Sequence, residues 1–167
     1  MVVNTRVVKS SAVVPARLDL AYLGLFLGLR VNELVTERMA GKGFGAVRES
    51  HGYVIQHLIE KDRSITELAA RMEVTQQAAS KVVAELLRLG VIEAVAAEDR
   101  RSKRIRLSRR GWQAVKIARK LRTQIEGRLI TTLGADKYEE AKQALLHCLE
   151  EMGGMDRIKS RRIRPAT

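Results

Sequence analysis

Residues 64–111 read SITELAARMEVTQQAASKVVAELLRLGVIEAVAAEDRRSKRIRLSRRG, and the order of signals in this stretch decides the fold. Ser64-Ile65-Thr66-Glu67 is a capping box: the serine hydroxyl accepts from the amide three residues on, and the glutamate reaches back, so a helix opens at Ile65. That helix runs to Met72, with Ile65, Leu68, Ala69 and Met72 inward. Glu73-Val74 makes a turn. Thr75 caps a second helix that reaches about Leu89, where Gly90 takes the left-handed conformation that ends it. The run Val91 to Val95 and the run Arg104 to Ser108 then flank a polar tip, Glu98-Asp99-Arg100-Arg101-Ser102-Lys103. In the second run Ile105 and Leu107 alternate with Arg104 and Arg106, which is the pattern of a strand with one wet face. Two short helices, a turn and a hairpin in this order are the layout of a winged helix-turn-helix, a shape that fits duplex DNA.

The second helix divides into faces. Ala79, Val82, Val83 and Leu86 recur at helical spacing and are expected in the core. Thr75, Gln76, Gln77, Ala78, Ser80 and Lys81 lie on the exposed N-terminal side, where a recognition helix presents side chains to base edges. Glutamine suits bidentate contact with adenine, Ala78 suits a thymine methyl, and Lys81 suits a phosphate. The competing reading is a merely solvated face. Asp99, Arg100, Arg101, Lys103 and Arg104 form the hairpin's basic end, which can place a guanidinium in a narrow minor groove. Asp99, two residues before Arg101, would hold that arginine extended. A solvated loop is the alternative here.

Charge supports a polyanion as partner. The formal net charge is +12 on 167 residues. From Glu98 to Arg122 there are eleven Lys or Arg against two acids, about +9, a focus that attracts phosphates and weakens steeply with salt. An anionic membrane surface would answer to the same charge. With one Trp, three Tyr and two Phe, a stacking surface for single strands is poorly supplied.

Outside this stretch, residues 1–15 lack periodicity and end at Pro15, so they read as a flexible arm. Ala16 to Met39 is helical in pattern and apolar on too many sides for a lone surface helix, which implies cover from a partner chain; Gly24 and Gly28 would admit a close helix. Gly41-Lys42-Gly43 breaks that helix. A further helix is expected from about Val47 to Glu60. Two more follow, Trp112 to about Leu133 and Asp136 to Met152. The last carries an apolar stripe of Tyr138, Ala141, Leu145, Cys148, Leu149 and Met152. The tail from Asp156 holds five Lys or Arg and reads as a basic arm or a solvated end. The domain plan is therefore 1–15 arm, 16–46 dimerisation helix and linker, 47–111 winged domain, 112–153 dimerisation helices, and 154–167 basic tail. The fold class is mainly α with a small β-hairpin wing.

The register Ser64 to Ala69, the ungapped helix from Val74 to Gly90, and the run Asp99 to Gly111 together resemble the MarR family, the multiple antibiotic resistance type regulators. Most specific is Asp-x-Arg, an alternating strand, then Leu-Ser-x-x-Gly opening a long helix. The resemblance is firm from about Ser64 to Leu121. It implies a homodimer that holds two winged domains apart by interlocked terminal helices, a pseudo-palindromic operator, and a transcription regulator, commonly a repressor. Carried onto this chain, the reading positions are Gln76, Gln77, Ala78, Ser80 and Lys81, with Asp99 and Arg101 in the wing. Many relatives carry Arg or Ser/Thr where this chain has Gln76 and Ala78, so the base sequence read does not transfer. The resemblance also implies release by a small aromatic or carboxylate effector between the winged domain and the dimer helices. Tyr22, Phe26, His51, Tyr53, His57 and Trp112 are the candidate lining, against the plainer reading that aromatics at helical spacing are core.

Other chemistries find little support. One cysteine, Cys148, excludes an internal disulfide and reads as a buried, inert thiol. His51 and His57 are six apart, not on one helical face, and no metal site is expected. No catalytic triad, phosphate loop or dinucleotide fingerprint is present, so neither cofactor nor enzymatic activity is expected. No secretory signal is read, and the apolar stretch Leu18 to Leu29 is too short to span a bilayer, so a cytoplasmic, non-membrane protein is expected. The competing function is an architectural, DNA-compacting protein that uses the same basic surface without sequence choice.

Overall fold

The computed structural model describes residues 14–96 and 103–160. The first part of the expected arm, the wing tip with Asp99, Arg100 and Arg101, and the end of the tail lie outside the described residues. The elements are α1 (Leu20–Met39), a widened turn (Ala40–Phe44), α2 (Glu49–Leu58), α3 (Ile65–Met72), α4 (Gln76–Arg88), β1 (Ile92–Ala96), β2 (Lys103–Leu107), α5 (Arg109–Leu133), α6 (Ala135–Glu151) and α7 (Met155–Ser160).

The expected winged helix-turn-helix is present with its signals in the expected roles. Ser64 Oγ accepts from the Glu67 amide at 3.1 Å while Glu67 Oε2 accepts from the Ser64 amide at 2.6 Å, so α3 opens on a reciprocal box. It closes at Glu73, whose left-handed backbone (φ 53) turns the chain so that Val74 donates to the Ala69 carbonyl. Thr75 Oγ1 then caps α4 by accepting from Ala78. Gly90 (φ 67) ends the excursion, and β1 pairs antiparallel with β2 from Ile92 opposite Leu107 to Ala96 opposite Lys103. A third backbone segment joins the pair, because Arg63 and Ile105 exchange both amide–carbonyl bonds at 3.0 and 2.8 Å.

Two cores lie side by side. One joins Val54, Leu58, Leu68, Val83, Leu86 and Val91 with Ile105 and Leu107 of the wing. The other joins Val35, Met39 and Phe44 to Ala114, Leu121 and Ile125 of α5. Val47 packs against both, so the winged unit is fastened to α1 and α5 by continuous apolar contact. Val82, expected in the core, is half-buried beside it.

Several boundaries differ from the sequence expectation. The first helix starts at Leu20 and not Ala16, because Pro15–Arg17 forms a separate short turn and Asp19 accepts from the Tyr22 amide as the true cap. The second starts at Glu49, where the Arg48 amide donates to His51 Nδ1 at 3.1 Å. The fifth begins at Arg109, three residues early, since Ser108 Oγ accepts from Gly111. The tail is helical over Met155–Ser160, which the basic-arm reading did not foresee. Cys148 is exposed, not buried: no residue of α6 is buried within the chain, so its apolar stripe has no cover here.

Gly111 sits where only glycine fits. A Cβ built there would lie on the Val91 carbonyl oxygen and 3.2 Å from Leu107 Cδ2, and the carbonyl cannot withdraw without giving up its bond from the Ser108 amide. Gly111→Ala is expected to cost about 2–3 kcal/mol through forced overpacking, read as a lowered urea midpoint with the slope unchanged.

Candidate nucleic-acid interface

The outward face of α4 is assembled as its periodicity demands. Ala79, Val83 and Leu86 are turned into the core, and this leaves Gln76, Gln77, Ala78 and Lys81 exposed, with Ser80 half-buried. Gln77, Lys81, Ala84 and Arg88 follow one another at helical spacing, all exposed. Arg88, in the last turn, therefore extends the row expected from the sequence, and the helical spacing from Gln77 is the signal that marks it. Thr75 differs in role: its hydroxyl is engaged as the helix cap.

The wing strand separates its basic residues by function. Lys103 is exposed. Arg104 is drawn back onto the body, with Nη2 donating to the Asp62 carbonyl at 2.9 Å and to Glu67 Oε2 at 3.2 Å. Arg106 pairs across the hairpin with Glu93 at 2.6 Å. Arg104 thus braces the wing against α3, and Glu67 serves both the capping box and this brace.

A second lock holds the far end of α4. His51 is buried; its Nδ1 accepts from the Arg48 amide, which leaves Nε2 to donate to Glu85 Oε2 at 3.0 Å, and the Arg48 guanidinium grips the same carboxylate. These bonds, that of His51 first, hold the Glu85 carboxyl below the usual carboxylate range. Arg48 also lines a cleft of about 170 Å³ bounded by α1, α2 and α5, whose apolar lining includes Val35, Met39, Ile55 and Ala118 and whose polar lining includes Arg48, Glu49, Gln56, Arg119 and Arg122. Across its mouth Asn32 accepts from Arg122 at 2.6 Å and donates to Glu49 at 2.8 Å.

The six residues proposed to line an effector site are not brought together. Tyr22 and Phe26 stack on each other, 6.4 Å between ring centres, on the exposed half of α1. His51 and His57 are buried, Tyr53 is half-buried, and Trp112 is exposed on α5. None of them lines the cleft, whose wall is made of aliphatic, polar and charged side chains from α1, α2 and α5. On α5 the cleft is bordered by small residues at helical spacing, Ala114 and Ala118. Among the described residues no group of three or more His, Cys, Asp or Glu is placed to hold a metal ion, and no helix is long and apolar enough to cross a membrane.

A reading helix set on a tight turn, followed by a braced hairpin, defines the class: a winged helix-turn-helix protein. Residues 49–102 match the family model described as MarR family. No curated protein matches the sequence at a significant level. Among solved structures, the YusO protein from Bacillus subtilis is similar over 78% of this chain and 92% of its own, at 21% identity and a TM-score of 0.65. MepR, a transcription regulator of the Staphylococcus aureus multidrug efflux pump MepA, is similar over 81% and 99%, at 17% identity and 0.66. The reduced form of MarR from E. coli is similar over 79% and 97%, at 18% identity and 0.64. One MepR variant was solved bound to an oligodeoxyribonucleotide. At such identities the likeness is one of fold.

The double duty of Glu67 has a pH signature. The Ser64 amide bond, foremost, and Arg104 hold its carboxyl below its ordinary value of 4.5. Its contribution to stability is therefore full above about that ordinary value and is lost as pH falls through the lower folded value. Glu67→Gln should flatten the acid side of the stability profile, so that the urea midpoint falls less between about pH 5 and pH 3 than in the parent. An unchanged acid slope would show that Glu67 titrates alike folded and unfolded.

Proposed function

We propose that this protein is a DNA-binding transcription regulator that reads a pseudo-palindromic operator as a homodimer and acts as a repressor. The observation that carries the reading is α4: its apolar face is sunk in the core and its cap is closed, while Gln76, Gln77, Ala78, Lys81 and Arg88 project together to solvent. That row suits major-groove readout with phosphate contacts at its edge. The family match of the winged segment supports it. Arg101 and its neighbours at the wing tip, outside the described residues, are assigned by sequence to the adjacent minor groove.

The homodimer is supported by exposed apolar surface. Leu20, Tyr22, Leu23, Leu25, Phe26, Leu27 and Leu29 on α1 are each about half exposed, and Leu145 and Leu149 on α6, with Met152 just beyond its end, join them. So many large apolar side chains on two helices mark an interaction face, and covering the exposed half of each contributes about 1 kcal/mol. The winged unit, 47–111, then reads DNA, while 16–46 and 112–153 pair the protomers. The cleft beneath Asn32, with apolar residues and Arg119 in its lining, is the place for a small effector that is partly apolar.

A second reading, an architectural protein without sequence choice, is favoured by one observation, the net charge of +12. Competition separates the two. In moderate salt, random duplex should displace a selected operator fragment poorly, and equal displacement would favour the architectural protein. Lys81→Ala or Arg101→Ala should weaken operator binding about ten-fold, each with an unchanged sedimentation coefficient. Parent-like binding by both would remove α4 and the wing from the interface. Phe26→Arg should instead yield monomer by sedimentation and lose operator binding with it.

A further inference from the structure

The reading surface leaves most of the positive charge of the described chain unused. Helix α5 holds seven Lys or Arg against one Glu. Two of the seven serve the fold: Arg110 donates to the Gly43 carbonyl at 2.7 Å and lies over the Phe44 ring, and Arg122 donates to Asn32. Arg109, Lys116 and Lys120 do neither. All three are exposed, none makes an ion pair among the described residues, and all project from the side of α5 opposite Ala114, Ala118, Leu121 and Ile125.

At 3.6 residues per turn these three fall within a narrow stripe, with Lys116 about 10 Å and Lys120 about 16 Å along the axis from Arg109. Like charges at positions four apart weaken a helix, and no acid on the same face offsets Lys116 and Lys120. The stripe contains no large aliphatic, unlike the exposed faces of α1 and α6, and two copies set against each other through it would bring cations together. It also begins at the foot of the wing strand, because β2 runs through Leu107 and Ser108 directly into Arg109.

We propose that Arg109, Lys116 and Lys120 form a second phosphate-binding track, which holds the backbone of the same duplex beyond the bases that α4 reads. Duplex DNA carries a charge about every 1.7 Å of axis, so a straight cationic row meets phosphates without a register requirement. Lys116 and Lys120, about 6 Å apart along the axis, lie within one Debye length at physiological salt and present their charges together. The inference rests on the DNA-binding reading and adds to it a site that carries affinity and salt dependence but no base choice.

The test is binding of the full chain to a random-sequence duplex of about 40 base pairs, followed by fluorescence anisotropy from roughly 50 to 200 mM salt. The double variant Lys116→Gln, Lys120→Gln should reduce the slope of log affinity against log salt by about two and weaken binding about ten-fold at the low-salt end. Lys137→Gln on α6 should leave the slope as it is, and equal loss there would reduce the effect to net charge and overturn the track. A parent slope in the double variant overturns the track while the regulator reading stands; a parent that binds no duplex overturns that reading itself. Loss of the dimer in the double variant would mean that the stripe meets the acidic face of a second copy, Asp136, Glu139 and Glu140, and would overturn the proposal as well. Both lysines are exposed, so the thermal midpoint should stay at that of the parent.

Discussion

The structure depends on one crowded junction, where the end of the reading helix meets the start of the long helix. Val91 gives its carbonyl to the Ser108 amide at 3.1 Å, Ser108 Oγ donates to the Gly90 carbonyl at 2.6 Å, and Gly111 presses its bare Cα against Val91. Four elements converge there: the last turn of α4, both strands of the wing, and the first turn of α5. The left-handed backbone at Gly90 admits the turn, and the missing side chain at Gly111 admits the approach. The hairpin is held further by the Arg63–Ile105 bridge, by the Arg104–Glu67 pair and by Ile105 and Leu107 in the core.

The sequence was most legible where a signal is local. The capping box at Ser64 and Glu67, the Thr75 cap, the strand alternation at Ile105 and Leu107, and the terminating Gly90 each act over three or four residues and read directly from the chain. Legibility failed where partners are distant in sequence. Arg104 was assigned to DNA by its place in a basic run, and only the fold shows it turned onto Glu67, 37 residues away. Helix starts slipped for a related reason: Asp19 outranks the turn around Pro15 as a cap, and periodicity alone cannot choose between them. Ring size, the sequence's guide to an effector lining, does not locate the cleft. Space between helices is instead made by small residues such as Ala114, Ala118 and Gly52, whose contribution is to be absent.

Arg48 stands in two places at once. Its guanidinium borders the cleft and grips Glu85, while its backbone amide orients the buried His51 that grips the same carboxylate. The reading helix is thereby fastened at its outer end by a residue that faces a space between helices.

Helix α5 runs unbroken for 25 residues, from the foot of the wing to the turn before α6. A rod of that kind, about 37 Å long, has no joint to absorb a change in angle. A tilt of about ten degrees where its far end is seated would carry the near end through roughly 6 Å, close to two base-pair steps of a B-form duplex. Small adjustments in how the helical ends are seated are thus geared up into whole-register displacements of the parts that touch DNA.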